Sequence, residues 1–185
     1  MTEMNEHLAA VCGLYCGACT LYRARRDENP KRLKEILEQA AERWQVPEDE
    51  IECDGCLKGG RLTPYCKACG MRLCAEGRPG ITRCSDCPDF PCKMNTDFNN
   101  DGMRHHAEIL ANLRHLREIG AEKWIIEQEE RWRCPECGIQ MDWYARACYA
   151  CGATQPYRLP KLPRDKTYIY FGNGMHVLLR FVASA

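Results

Sequence analysis

The residues of this chain that can do chemistry are its cysteines, 15 in 185 residues, many of them two residues apart in pairs. Thiolates bind soft metal ions, hold iron–sulfur clusters, exchange disulfides or act as nucleophiles, and spacing narrows the choice. The most specific pattern is Cys134-x2-Cys137 followed by x10 and Cys148-x2-Cys151. Two such turns offer four sulfurs to one ion, the pattern of a short zinc ribbon. Gly138 and Gly152 follow the pairs, where a turn aiming two sulfurs at one ion favours a residue that tolerates positive φ. Four thiolates leave no open coordination position, so a structural Zn²⁺ is expected.

The other 11 cysteines form a trio, a pair and two triplets: Cys12, Cys16 and Cys19; Cys53 and Cys56; Cys66, Cys69 and Cys74; Cys84, Cys87 and Cys92. All are expected to bind metal. Eleven is one short of three four-ligand sites, so the Cys12/Cys16/Cys19 trio must either borrow a ligand or share an incomplete site. A missing ligand would be a His, a carboxylate, a water or a substrate atom, and an open position is the one feature that points toward activity. Spacing does not separate Zn²⁺ from [4Fe–4S], since both accept four thiolates. The Cys-x3-Cys-x2-Cys trio also matches radical S-adenosylmethionine enzymes. That reading is rejected, because their barrel is larger than this chain and Ala18 stands where an aromatic is usual.

The triplet Cys66-x2-Cys69-x4-Cys74 recurs 18 residues later as Cys84-x2-Cys87-x4-Cys92, which predicts two similar knuckles. His7, His105 and His106 are the histidines near enough in sequence to complete a site, although solvated surface is the expectation for the adjacent pair. His115 and His176 carry no signal. From Cys53 to Lys93 there are seven Lys/Arg and four Asp/Glu, a cationic surplus that would offset ionised thiolates.

Stepping outward from the cysteines, little else can build a core. Leu, Ile, Val and Phe are 32 of the 185 residues, about 17%, below the roughly 20% at which chains bury too little apolar surface. Met1 to Ala10 shows no export signal and no run is long enough to span a membrane. A reducing, cytoplasmic setting follows, in which paired cysteines read as metal sites rather than disulfides.

The elements expected to position the cysteines are few. Asn29 and Pro30 start a helix along Leu33, Ile36, Leu37, Ala40, Ala41 and Trp44, ended by Pro47. Met103, Ala107, Leu110, Leu113 and Leu116 form one helical stripe. Trp124, Ile125, Gln128 and Trp132 form a second, with Gly120 breaking the run between them and both tryptophans packing in the core. Tyr168 to Phe181 reads as a β-hairpin that packs on a neighbour. The expected fold is therefore a small, metal-stabilised α+β chain. Its parts are a Cys-rich multi-metal domain (1–98), a helical connector (99–132), a zinc ribbon (133–155), and a linker with the hairpin (156–185).

Three stretches together resemble a known family: Cys12-Gly-Leu-Tyr-Cys16-Gly-Ala-Cys19, Cys53-Asp-Gly-Cys56, and Cys66-Lys-Ala-Cys69 through Cys84-Ser-Asp-Cys87-Pro-Asp-Phe-Pro-Cys92. The family is the prokaryotic domain of unknown function 3795, and the similarity covers roughly residues 8 to 95. It implies a prokaryotic, cytoplasmic, metal-binding protein and no particular reaction. The residues themselves favour a metal-stapled interaction module with a protein partner over catalysis. An iron–sulfur or redox component with an open site is the first alternative. Nucleic-acid binding through Arg131, Arg133, Trp143, Tyr144, Arg146 and Tyr149 is the second, weakened by a formal net charge of zero.

Overall fold

The computed structural model describes residues 5–27, 29–157 and 159–160, and the backbone of 166–171 and 174–179. Among these the chain is mostly helical with few strands. The helices are α1 (Thr20–Ala24), α2 (Pro30–Trp44), α3 (Pro64–Lys67), α4 (Gly70–Glu76), α5 (Lys93–Asn99), α6 (Ile109–Ile119) and α7 (Ala121–Arg131). The backbones of β1 (Lys166–Phe171) and β2 (Gly174–Leu179) run antiparallel, Lys166 opposite Leu179 and Phe171 opposite Gly174. The turn expected at Gly172–Asn173, the hairpin's side-chain packing and most of the 156–166 linker lie outside the described residues.

The first long helix forms where its capping residues place it. The Asn29 side chain accepts the Arg32 N–H at 3.1 Å and Pro30 occupies the first turn, where no N–H is missed. The helix closes at Trp44 through Gln45 in the left-handed conformation, before Pro47 is reached. Leu37 and Ala40 are buried and pack with Ile51, Leu33, Ala41 and Trp44.

Gly120 ends α6 and begins α7 at φ 81°, a value L side chains rarely adopt. The break therefore falls where the sequence places it. The first stripe starts later than its spacing suggests: residues 103–108 form a turn and a single 3₁₀ turn, and α6 begins at Ile109. Asp101 holds this entry by accepting the Met103 N–H at 2.9 Å, a local bond that competes with helix. Ile109, Leu113 and Leu116 point inward from α6, Trp124 and Ile125 from α7, and Trp132 follows. They close on Leu8, Ala9, Tyr15, Ala18 and Tyr22. The main core thus lies between the helices and the segment carrying the first cysteine trio.

That segment is held close to α6. Gly13 sits at φ 82°, its carbonyl accepts from the Asn112 side chain at 3.0 Å, and a Cβ there would lie 2.7 Å from Leu113 Cγ. Leu113 is fully buried and has nowhere to retreat. Gly13→Ala is expected to cost about 1–3 kcal/mol, from backbone strain and the forced contact. Denaturant unfolding checks it, and an unchanged midpoint would contradict this account of the loop.

The C-terminal cysteine segment docks onto the N-terminal one. The Trp143 N–H donates to the Ala18 carbonyl at 2.9 Å, and Tyr149 Oη donates to the Asp27 carbonyl at 2.9 Å. Arg32 pairs with Asp27 at 3.2 Å and also with Asp142. Both carboxylates are buried; Arg23 also pairs with Asp27, and the two guanidiniums are what makes burial of this charge tolerable.

Candidate metal centre

The clearest candidate is built by two near-identical turns. In the first, the Cys134 N–H donates to the Ile139 carbonyl at 2.8 Å and the Gly138 N–H donates to the Cys134 carbonyl at 3.0 Å. In the second, Cys148 donates to Ala153 at 2.8 Å and Gly152 to Cys148 at 2.9 Å. Gly138 and Gly152 have φ of 76° and 78°, the left-handed conformation for which glycine is suited. Isolated bridges from Arg133 to Gln140 and from Ala147 to Thr154 close the base of each turn.

The two turns face one another. Sγ of Cys134 lies 3.6 Å from that of Cys151, and Cys137 lies 3.5 Å from Cys148. All four sulfurs fall within 4.8 Å of one another, the one such group of His, Cys, Asp or Glu among the described residues. The Cys137 and Glu136 amides donate to the Cys134 sulfur and pull its pKa down to about 7, which favours the ionised form a metal needs. Cys134 and Cys148 are buried beside Met141, whereas Cys137 and Cys151 are exposed. This Cys₄ group can hold a metal ion.

The N-terminal cysteines converge more loosely and from farther apart in the chain. The Val11 N–H donates to the Cys56 sulfur at 3.4 Å, and Cys16, Cys56, Cys69 and Cys84 pack against a buried cluster of Ala10, Val11, Cys12, Met71 and Ala75. Cys53 and Cys66 share a hydrogen bond, in which Cys53 accepts and its pKa falls to about 6 while that of Cys66 rises. Arg26 braces the Cys53 turn, donating to the Cys53 carbonyl at 3.1 Å and to Asp54 at 3.2 Å. Burial pushes the Cys12 and Cys16 thiols well above their ordinary values, and neighbouring sulfurs add to it. Cys19 caps α1, and burial raises it to about 11 against the Leu21 and Tyr22 amides.

A second neighbourhood holds Cys74, Cys84, Cys87 and Cys92. Burial raises Cys84 to about 11; the Asn95 side chain opposes this, and Cys92, Cys74 and Cys87 add to it. Arg78 donates to the Cys87 sulfur at 2.9 Å and to Asp89 at 2.7 Å. Arg117 of α6 clamps the turn by donating to the carbonyls of Ser85 at 2.6 Å and Cys87 at 2.9 Å. Asn95 is buried and accepts the Cys92 N–H at 3.2 Å. Arg78 is one of the seven Lys/Arg counted between Cys53 and Lys93, whereas Asn95 and Arg117 were not singled out by the sequence; Asn95 left a signal there, as a polar residue three after a helix-capping position.

Identical spacing does not give identical use. Cys66 turns to Cys53, Cys69 caps α4 near Cys12 and Cys56, and Cys74 on α4 reaches Cys84. The second triplet stays together. The two triplets therefore lie in unlike local structure although their spacing is the same. The reason is local: residues 64–76 are two short helices, whereas Cys84 and Cys87 flank a single 3₁₀ turn.

Among the described residues no histidine joins a group of potential metal ligands. His106 is buried, with Nδ1 2.7 Å from Asp101 and its ring stacked on Phe98. His105 stacks on Trp143 at 4.3 Å and bonds the Tyr144 hydroxyl at 2.6 Å. The solvated-surface expectation for this pair is therefore corrected. Their aromatic partners come from α5 and from the docked C-terminal segment, which local sequence cannot reveal. His7 Nε2 lies 3.1 Å from Tyr22 Oη, and His115 pairs with Glu127 at 2.6 Å.

With the convergence of the first 11 cysteines in view, the comparison with known families acquires meaning. Residues 8–97 match the family described as Protein of unknown function (DUF3795). This DUF3795 segment holds all 11 of those cysteines, and the Cys₄ group at 134–151 lies beyond it. No curated protein and no solved structure matches the chain. All 15 cysteines are free thiols, and no described helix is long and apolar enough to cross a membrane.

Proposed function

We propose that this chain is a zinc-stapled structural or interaction module of a reducing, cytoplasmic compartment, in which thiolates supply cohesion rather than reactivity. The observation that carries this is the facing Cys134/Cys151 and Cys137/Cys148 pairs at 3.6 and 3.5 Å. A tetrahedral ion with Zn–S bonds of about 2.3 Å sets neighbouring sulfurs about 3.8 Å apart. Four sulfur ligands close the coordination shell, which suits a structural ion. A partner face is offered by exposed apolar side chains on three short helices: Tyr65 on α3, Leu73 on α4 and Met94 on α5. The Met94 sulfur lies beside Gly70, which brings α5 against the start of α4.

Elemental analysis of anaerobically purified protein tests the reading. Cys137→Ser and Cys148→Ser are each expected to lose about one zinc per chain and to open the 133–155 segment to protease, since site assembly and folding are coupled. Unchanged zinc content in both variants would refute it. An iron–sulfur or redox role is the second reading, favoured by the burial of Cys12 and Cys53. Brown protein with broad visible absorbance selects it, whereas colourless zinc protein selects the first. Nucleic-acid binding loses support because four of its six residues are engaged internally, Tyr144 through its bond to His105. Arg131 pairs with Glu108 at 2.6 Å, Trp143 stacks on His105, and Tyr149 bonds Asp27.

A further inference from the structure

The geometry points to a small-molecule site in the cleft between the Arg83–Pro88 turn and the α6–α7 junction, one that takes a phosphomonoester. Its phosphate lies against Arg83, Arg117 and the start of α7, and its organic part lies on Leu116 and Pro88. The site uses no thiol and goes beyond the zinc-stapled reading.

The cleft measures about 500 Å³. That is within the range of roughly 300–1,000 Å³ usual for small-molecule sites and far more than a bare phosphate fills. Two guanidinium groups line it, and each is held by backbone carbonyls rather than by a close carboxylate. Arg83, only 9% exposed, donates from Nε to the Ala9 carbonyl at 3.0 Å and from Nη2 to the Glu6 carbonyl at 2.9 Å. Its ion-pair partner among the described residues is the half-exposed Glu6 carboxylate, 3.8 Å away. Arg117 donates from Nε to the Ser85 carbonyl and from Nη2 to the Cys87 carbonyl, with its guanidinium over the Phe90 ring. It has no ion-pair partner among the described residues, and Nη1 of both arginines is without a hydrogen-bond partner among them. A buried guanidinium with so little counter-charge is costly unless something else neutralises it.

The third wall adds to this field. Gly120 begins the 11-residue α7 with no side-chain cap, and Gly120 and Ala121 line the cleft. The uncapped amides of a helix start carry partial positive charge. Glu122, the acid of that first turn, is not among the lining residues. Asp86 is the carboxylate that does line the cleft, and its oxygens are already committed. Oδ2 accepts the Thr82 and Arg83 amides at 3.2 and 2.8 Å, and Oδ1 accepts the Ser85 hydroxyl at 3.1 Å. Neither cleft arginine serves the neighbouring sulfur, because Arg78 donates to Cys87 Sγ. Two guanidinium groups and a helix start on separate segments suit a tetrahedral dianion, which offers acceptors in several directions, better than a planar carboxylate. Leu116 and Pro88 give the rest of the cleft an apolar wall.

Phenyl phosphate titrated into the full chain, followed through backbone amide NMR shifts, tests the site. Saturable shifts are expected at Ser85, Asp86, Gly120, Ala121 and Glu122. Phenyl phosphate is expected to bind about tenfold more tightly than inorganic phosphate, through the area its ring covers. Pro88→Glu adds a carboxylate at an exposed lining position and is expected to weaken phenyl phosphate binding about tenfold or more with the melting temperature little changed. Should that variant fail to fold, the unsubstituted chain decides by where its shifts fall and by its preference between the two phosphates. The site is overturned by shifts elsewhere, by no saturation at about 10 mM phenyl phosphate, by equal affinity for the two phosphates, or by full affinity in folded Pro88→Glu. Each of those failures leaves the zinc-stapled reading standing, since none of them reads metal content.

Discussion

Dialysis against a strong chelator under reducing conditions abolishes the cooperative melting transition of this chain. That result is expected because the core outside the cysteine clusters is modest. Leu8, Tyr15, Ile109, Leu113, Trp124 and Trp132 form its main part, yet partly buried Cys16, Cys19, Cys84 and Cys87 pack against it as part of the same surface. Two of the three smaller clusters are themselves built around cysteines. Structural zinc in small domains contributes on the order of 10–16 kcal/mol of apparent binding free energy per site, and whole domains are stable by only about 5–15 kcal/mol. Losing even one ion therefore removes as much as the fold has to spare. Circular dichroism melts before and after chelation, with zinc re-addition, measure the effect. A stripped sample that melts at the original temperature would show that sulfur-bound metal is not what holds the chain together.

Trp124→Ala gives the second large effect, about 3–5 kcal/mol of lost stability, and zinc affinity in the N-terminal half weakens with it. Trp124 is fully buried and meets the edge of Tyr15 at a ring separation of 6.1 Å. Tyr15 precedes Cys16 directly, so a cavity at Trp124 loosens the turn that aims this sulfur. Denaturant unfolding and competition with a zinc indicator read the two consequences separately. A stability loss under about 1 kcal/mol would be at odds with a filled core at this position.

These outcomes also mark what the sequence could disclose. The Cys₄ group was legible because all its information is local: two Cys-x2-Cys turns and a glycine after each. The start of α2 at Asn29 and the break at Gly120 were legible for the same reason, since caps and positive φ act over a few residues. The late start of α6 was not, because an Asp101 side chain claims the Met103 amide and competes with a sound apolar stripe. The engagement of His105 and burial of His106 were equally hidden: Trp143 and Tyr144 reach His105 from the C-terminal segment, and Phe98 of α5 stacks on His106. The division of the Cys66/Cys69/Cys74 triplet depends on two short helices turning its members apart, and equal spacing carries no trace of that.

The pattern of who meets whom across the chain also sets an order of assembly. The sulfurs of the Cys₄ group that meet are 17 and 11 residues apart, so the loops that join them are short and close cheaply. The Val11 amide and the Cys56 sulfur are 45 residues apart, and Cys12 and Cys16 must find Cys56, Cys53 and Cys69 across that distance. Under the proposed function, ion capture by the Cys₄ group therefore precedes capture by the N-terminal cysteines. The first trio leaves the ribosome long before Cys53, Cys56, Cys66 and Cys69 are made, so the earliest residues made are then the last to be secured.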